Sequence, residues 1–292
     1  MLKQYCSEKA ALVDCALRQA VPAEHAYAHV LFDSMRYSLF AGGKRLRPIL
    51  LMAAADAVGA AGSSYLPAAC SLEMIHTYSL IHDDLPAMDD DDYRRGKPTN
   101  HIVYGEGMAI LAGDALLTAA FEVCLSQPDV QPAVLLDVVK EIAIAAGATG
   151  MVGGQAVDLL SEGKTLDAQT LQYMHQAKTG ALFRAAIRSG AILAGASATQ
   201  LAQLTVYAEQ FGLAFQITDD ILDVVGNQEL IGKPVGSDIR NHKATYVTLY
   251  SLEGAKKLAD QAVEKALLSL QDFGSEADIL RDLVRHLLNR DS

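Results

Sequence analysis

The stretch Ser79-Leu80-Ile81-His82-Asp83-Asp84-Leu85-Pro86-Ala87-Met88-Asp89 closes an apolar-rich run that begins near Ser64. The run has helical spacing. Pro86 disfavours helical geometry at Leu85, so the hydrogen-bond ladder is predicted to break just after the aspartate pair. Asp89 to Arg95, with Asp90, Asp91 and Asp92 between, then forms a polar loop at that helix's C-terminal end. A second apolar run ends in the same way, in Asp219-Asp220-Ile221-Leu222-Asp223. Carboxylates gathered like this repel one another unless a cation lies between them. Hard oxygen donors in clusters suit Mg²⁺, which bridges a few carboxylates to the phosphate oxygens of a substrate. Two such clusters, with arginines and lysines nearby, point to a diphosphate held in a metal cradle.

Working outward, the segment from about Glu24 to Phe40 has helical spacing, Gly42-Gly43 ends it, and Pro48 suits the first turn of the next helix. Further helices are predicted near 106–126, 131–146, 167–190, 195–226, 243–252, 253–273 and 276–290. Alternating strand patterns of any length are missing. The predicted architecture is all-α, a single-domain bundle over 1–292 of about a dozen helices around a central apolar cavity. Its central helices are apolar nearly all round, which predicts burial. Asp83 and Asp219 then sit at the mouth of the bundle, on the ends of core helices.

Composition agrees with this plan. Hydrophobic residues make up 51% of the 292 residues, with 8 Pro and no Trp, which favours helices over a β-rich fold. A net charge of −11 argues against general binding to nucleic acid or anionic membranes, but not against an anionic substrate, because charge is local. Cys6, Cys15, Cys70 and Cys124 fit neither a zinc site nor a disulfide framework and are read as reduced thiols. Glu8 and Asp14 interrupt the N-terminus, so it does not read as a signal peptide. The longest uncharged run, Ser189 to Ala208, is too polar for a membrane span. The expectation is a soluble cytoplasmic protein.

The chemistry narrows further residue by residue. Asp219 and Asp223, four apart, share one helical face with Cβ atoms about 6 Å apart, an arrangement that destabilises a bare helix; Asp220 points elsewhere. An EF-hand is excluded, because counting from Asp89 the required Gly and Glu are Arg94 and Asn100. Gly42-Gly43-Lys44-Arg45-Leu46-Arg47-Pro48 is not a P-loop, because Arg45 stands where Ser or Thr would bind the metal. Lys44 and Arg47 nevertheless lie near a helix start, where the dipole favours an anion. Arg94-Arg95 offer the fork that matches phosphate geometry. Lys178 falls on a core-facing helix and is expected to meet an anion, since an isolated buried lysine is costly. Lys233 and Lys243 follow the second aspartate motif. His76 is seven residues before Asp83, on nearly the same helical face.

Together these motifs resemble the trans-isoprenyl diphosphate synthase family. The resemblance rests on Gly43-Lys44-Arg45-Leu46-Arg47-Pro48, the stretch from Ser79 to Asp89, Lys178-Thr179-Gly180-Ala181-Leu182, Phe215-Gln216, and Asp219 to Asp223. The four residues between Asp84 and Asp89 match its bacterial farnesyl-producing members. The resemblance implies an isoprenoid synthase fold, a homodimer, and Mg²⁺ as cofactor with Mn²⁺ as a substitute. It implies Asp83, Asp89 and Asp219 as metal ligands, supported by Asp84 and Asp223. Arg94, Lys178, Thr179, Gln216, Lys233 and Lys243 are implied contacts of the allylic diphosphate; Lys44, Arg47, His76 and Arg95 of isopentenyl diphosphate. Of these, Asp83, Asp89, Arg94, Lys178, Thr179, Gln216 and Asp219 form the expected catalytic set.

The implied reaction joins isopentenyl diphosphate to dimethylallyl or geranyl diphosphate by ionisation, condensation and elimination. Tyr78, five residues before Asp83, lies about 7–8 Å down the helix axis and is expected to block the apolar tunnel, with Ser79 leaving room beside it. That predicts a C15 stop and farnesyl diphosphate as product, the alternatives being geranyl or geranylgeranyl diphosphate. The Lys233–Lys243 segment is expected to close over the site, so protease cleavage there should fall when Mg²⁺ and a diphosphate analogue are added. A remoter alternative is an all-α His-Asp phosphohydrolase built on His82-Asp83, which leaves the second motif unexplained. A terpene cyclase would carry a mixed Asn/Ser/Glu second motif, and a non-catalytic partner subunit would lack one of the two.

Overall fold

The computed structural model describes residues 1–161, 163–164, 166–225 and 245–289. Its order is α1 (Leu2–Ala20), α2 (His29–Leu39), α3 (Leu46–Ala57), a 3₁₀ turn (Gly62–Tyr65), α4 (Leu66–Asp83), a hairpin of β1 (Tyr93–Arg94) and β2 (Lys97–Pro98), α5 (Asn100–Tyr104), α6 (Glu106–Leu125), α7 (Pro132–Ala146), α8 (Met151–Ser161), α9 (Ala168–His175), a π turn (Gln176–Gly180), α10 (Ala181–Leu193), α11 (Ala198–Val225), α12 (Tyr246–Ser269) and α13 (Asp278–Leu287). The all-α prediction holds. One contiguous core runs from Val13 on α1 to Leu287 on α13, with α4 packed between α3 and α6, and α10 packed among α3, α7 and α11.

Helix α4 starts with Pro67 in its first turn, where a missing N–H is harmless, and ends at Asp83 three residues before Pro86. Ala68, Leu72, Ile75 and Met74 fix its buried side. The loop before α3 turns through Gly42 (φ 105°) and Gly43 (φ 126°), a region that favours glycine. Arg45 follows, left-handed at φ 49° and almost fully buried. Its Nε reaches Asp14 at 2.8 Å, its Nη1 reaches Glu73 at 2.8 Å, and its Nη2 donates to the Leu39 carbonyl at 2.7 Å. The loop is thereby tied to α1, α2 and α4. Breaking such a buried pair on one side costs about 3–5 kcal/mol. Glu73→Ala is therefore expected to lower unfolding free energy by that order in a urea titration; a change below about 1 kcal/mol would show that the triad does not hold the loop.

Three differences from the sequence reading have physical causes. The reading places no helix over residues 2–20 or 151–161. Helix α1 buries only Val13 and Leu17, so no broad apolar face marks it, while α8 contains Gly153-Gly154, which weakens a helical signal. The single helix predicted over 167–190 is divided by the π turn, a local widening common at functional sites. The pair predicted over 243–252 and 253–273 is found as two helices within Tyr246–Ser269 that meet at a kink, with non-helical angles at Ser251 (φ 64°, ψ 165°). The third difference concerns α6, which is apolar all round yet buries only one face, through Ala109, Ala112, Gly113, Leu116, Ala120 and Cys124. Ile110 (44% exposed) and Leu111 (53%) lie on its open face. It is also the one helix among the described residues long and apolar enough to cross a membrane by length and composition.

Candidate active site

Helix α4 carries the first half of the site. His76, Ser79 and Asp83 project from it into a cavity of about 540 Å³, which Tyr78, Leu85, Met88, Met151, Gln155, Leu159, Lys178 and Thr179 also line. A second cavity of about 510 Å³ is bounded by the Gly42-to-Arg47 loop, Glu73, His76, Arg95, Phe183, Phe215 and Asp219. Arg47 and His76 line both, so the cavities adjoin there. Asp83 from the first aspartate motif faces one, and Asp219 from the second faces the other. Most of the first cavity's wall is hydrocarbon; the wall of the second carries arginines.

The electrostatics of this junction suit an anion. The Arg47 guanidinium lies against the Phe183 ring, 4.7 Å from its centroid, and its Nε is shut off from solvent with no hydrogen-bond partner. Burial lowers Arg47 to about 10, with Glu73 opposing the shift and Arg95 adding to it. Arg95 is lowered as well, by burial first. Burial holds His76 well below the usual imidazole range, and the fields of Arg47, Arg95, Arg94 and Arg45 push it further, so it is neutral at pH 7. Cations packed this closely favour a multiply charged anion between them. Lys44 is exposed at the rim of the same cavity. Arg95 lies on the turn of the β1–β2 hairpin (φ 53°, with Gly96 at 73°), and its Nη1 donates to the Gly42 carbonyl.

The carboxylates behave in the complementary way. Burial raises Asp83 to about 6; Lys178 and Arg94 oppose the shift, and Asp89 and Asp84 add to it. The Asp89 N–H donates to the Asp83 carbonyl at 2.9 Å, which folds the loop back so that the two acidic positions stay together. Asp84 is buried and grips Arg94, whose Nε donates to its Oδ1 at 2.7 Å and its Oδ2 at 3.0 Å, while Nη2 stands 2.6 Å from Oδ1. On α11, Asp219 is exposed and lines the second cavity with Phe215, whereas Asp223 and Gln216 are half-buried and line neither cavity. Asp220 is buried on the other side, where its Oδ2 accepts the Tyr246 N–H at 2.7 Å. Lys233 and Lys243 lie outside the described residues.

Among the described residues no three His, Cys, Asp or Glu side chains form a preassembled metal cage. That fits Mg²⁺, which is held by one or two carboxylates plus substrate phosphates rather than by an all-protein shell. The geometry of His82 weighs against a His-Asp hydrolase centre. The Nε2 of His82 is turned to the Ile110 carbonyl, 3.1 Å away, and not toward a metal shared with Asp83.

Lys178 sits on the π turn and donates from Nζ to Asp158 Oδ2 at 2.6 Å; Asp158, Asp83 and Asp89 together raise it despite its burial. The anion expected near Lys178 is thus, in this state, a carboxylate on α8. Asp158 is a site residue the sequence reading missed, as is Gln155, whose buried Oε1 has no partner. Both belong to Gly154-Gln155-Ala156-Val157-Asp158, and the four-residue spacing of Gly154 and Asp158 on one face was the signal available. A Cβ on Gly154 would stand 2.2 Å from the Lys178 nitrogen, so only glycine lets α8 come this close to the π turn. His175, one turn before Lys178, is lowered to about 4 by burial, so it adds no charge beside the lysine at neutral pH.

Comparison with known proteins gives a consistent result. A family model described as polyprenyl synthetase matches residues 28–287. The farnesyl diphosphate synthase of Geobacillus stearothermophilus is 48% identical over 292 residues, covering 99% of this chain and 98% of the relative. The geranylgeranyl diphosphate synthase of Cyanophora paradoxa is 46% identical over 293 residues, covering 100% and 97%. Among solved structures, the geranylgeranyl pyrophosphate synthetase of Pyrococcus horikoshii superposes with a TM-score of 0.92 at 32% identity, covering 99% of this chain and 98% of that one.

Proposed function

Because the chain belongs to the polyprenyl synthetase family, we propose that it condenses isopentenyl diphosphate with dimethylallyl and geranyl diphosphate, and that its main product is farnesyl diphosphate. The observation that carries this reading is the junction at Arg47 and His76, where a cluster of cations opens directly into a deep hydrocarbon cavity. A diphosphate bearing a prenyl tail has that same division of charge and grease.

Each group has a task in the proposed reaction. Lys44, Arg47, Arg95 and the neutral His76 hold isopentenyl diphosphate, whose charge relieves the crowding among the arginines. Arg94, kept in place by Asp84, and Lys178 face the allylic diphosphate. Asp83, Asp89 and Asp219 would hold Mg²⁺ (Mn²⁺ could replace it), with Asp84 and Asp223 in support. Bound there, the metal would offset the negative charge that grows on the leaving diphosphate. As the allylic C–O bond breaks, its electron pair leaves with that diphosphate and an allylic cation remains. The Thr179 hydroxyl and the Gln216 amide turn their oxygen dipoles toward it. The isopentenyl double bond attacks, a C–C bond forms, and the departing diphosphate takes the proton that is lost. The apolar wall of Leu85, Met88, Met151 and Leu159 keeps water from the cation. The direct test is to incubate the protein with Mg²⁺, isopentenyl diphosphate and either allylic starter, then to measure the chain length after dephosphorylation. Farnesol as the main alcohol supports the reading; geranylgeraniol moves the product to C20, and no condensed alcohol refutes the reaction.

The reading extends to assembly. The open face of α6, with Ile110 and Leu111, adjoins Ile102 and Val103 on α5, all four more than two-fifths exposed. A contiguous apolar surface of this kind is covered in solution by a partner, and a second copy supplies an identical face about a two-fold axis. We therefore expect a cytoplasmic homodimer. Leu111→Asp should convert it to monomer by light scattering; a wild type that already runs as monomer would remove the dimer from the account.

A further inference from the structure

His82 has no assigned part in the reaction, yet its ring is wedged between two features that matter. On one side it meets the edge of Tyr78, with centroids 5.6 Å apart at 86°. On the other it is seated against α6, where Nε2 lies 3.1 Å from the Ile110 carbonyl and 3.9 Å from Asp114 Oδ1. The seat exists because residue 113 is glycine. A Cβ there would stand 2.1 Å from His82 Nε2 and 2.4 Å from Cδ2. Gly113 has ordinary helical geometry, so backbone conformation does not require glycine at this place. What requires it is the imidazole.

Tyr78 and His82 both line the tail cavity, four residues apart on the flank of α4 that faces α6. A tyrosine limits the cavity only while its ring is kept from swinging aside. Among the described residues, the ring that meets Tyr78 is His82. We propose that His82, seated on Gly113, is a positioning residue for product length: it backs Tyr78 and so sets the usable width of the tail cavity from α6. The proposal rests on the prenyl-transfer reading and assigns to that reading a determinant outside the aspartate motifs.

The test compares product distributions of wild type, Tyr78→Ala, His82→Ala, Gly113→Ala and the His82→Ala/Gly113→Ala double variant, all with geranyl diphosphate as starter. In apolar pockets a single methylene changes discrimination by about tenfold or more, so shifts of that size are expected. His82→Ala should raise the C20:C15 ratio about tenfold with Tyr78 still present, because the tyrosine ring can move into the vacated space. Gly113→Ala should lower that ratio, because its methyl group drives the imidazole toward the tyrosine and the cavity. The double variant should stay near His82→Ala, above the product of the two single effects, because the methyl group then has no imidazole to drive toward the tyrosine; this departure from additivity is what independent structural roles for the two residues would not produce. Each readout is a ratio, so loss of folded protein does not alter it, and His82→Ala alone decides the matter if the glycine variants do not fold. If Tyr78→Ala lengthens the product while His82→Ala leaves it unchanged, the backing role is wrong and the wider reading stands. If no variant, Tyr78→Ala included, changes the product, the assignment of the cavity to the prenyl tail fails with it.

Discussion

Asp83→Asn is expected to lower kcat by about a thousandfold, or about 4 kcal/mol, while leaving the KM for isopentenyl diphosphate within a few-fold of wild type. The split follows from geometry. Asp83 and Lys178 line the cavity we assign to the allylic tail, whereas the arginine cluster assigned to isopentenyl diphosphate is centred on Arg47 and Arg95 in the adjoining one. An interaction made mainly as charge develops on the leaving group appears in kcat. The same substitution has a second consequence. Burial raises the Asp83 carboxyl to about 6, above its usual value of 3.8. A carboxyl whose folded pKa is raised gives up its proton more easily when unfolded. It therefore weakens the metal-free protein progressively as pH rises from about 4 through about 6, and the loss is complete above that. Asparagine carries no such charge, so the metal-free variant should be more stable at pH 8, by up to about 3 kcal/mol. A more stable, nearly inactive protein is the mark of a residue retained for chemistry rather than folding. Steady-state kinetics and thermal melting of one preparation check both halves, and unchanged kcat would remove Asp83 from the mechanism.

Tyr78→Ala is expected to raise the C20:C15 product ratio by more than tenfold, because the extra prenyl unit needs the space that the ring fills. Tyr78 is 6% exposed, on the flank of α4 that bounds the tail cavity. Its side chain gives shape to a space already present, so its loss enlarges a channel rather than opening an isolated void. Losing the ring still costs packing, on the order of 3 kcal/mol, and yield will fall. Relatives of this chain are named for both C15 and C20 products at nearly equal identity, 48% and 46%. Overall similarity therefore does not fix chain length, and we assign that role to the side chains bordering the cavity. Gas chromatography of the dephosphorylated products reads the ratio; a C15 product unchanged by the substitution would clear Tyr78 of the role.

How far these features could be read from sequence depends on whether their causes are local. The end of α4 at Asp83 was legible because Pro86 acts on its immediate neighbours. The shared face of His76 and Asp83 was legible because helical periodicity is local too. The π turn under Lys178 was not, since its spacing barely departs from that of a helix and the Gly154 backbone that passes against it lies on a separate element, α8. The Asp158–Lys178 pair spans 20 residues, and Arg45 finds Glu73 and Asp14 at separations of 28 and 31, so no window of sequence contains either. The open face of α6 reads as core because an apolar helix gives the same signal in sequence whichever of its faces the chain itself covers. Charge showed a similar asymmetry. The acidic motifs were evident as motifs, whereas the depressed state of Arg47 and His76 arises only when α3, α4 and the hairpin meet.

The central claim is that both aspartate motifs grip one diphosphate through shared metal ions. A crystal structure with Mg²⁺, isopentenyl diphosphate and an unreactive thio analogue of geranyl diphosphate tests it directly. The account predicts carboxylate oxygens of Asp83, Asp89 and Asp219 at about 2.0–2.1 Å from metals that also touch the analogue's diphosphate, with Arg47 and Arg95 on the other substrate. An analogue bound without metal, or with Asp219 left out of the shell around it, would contradict the account.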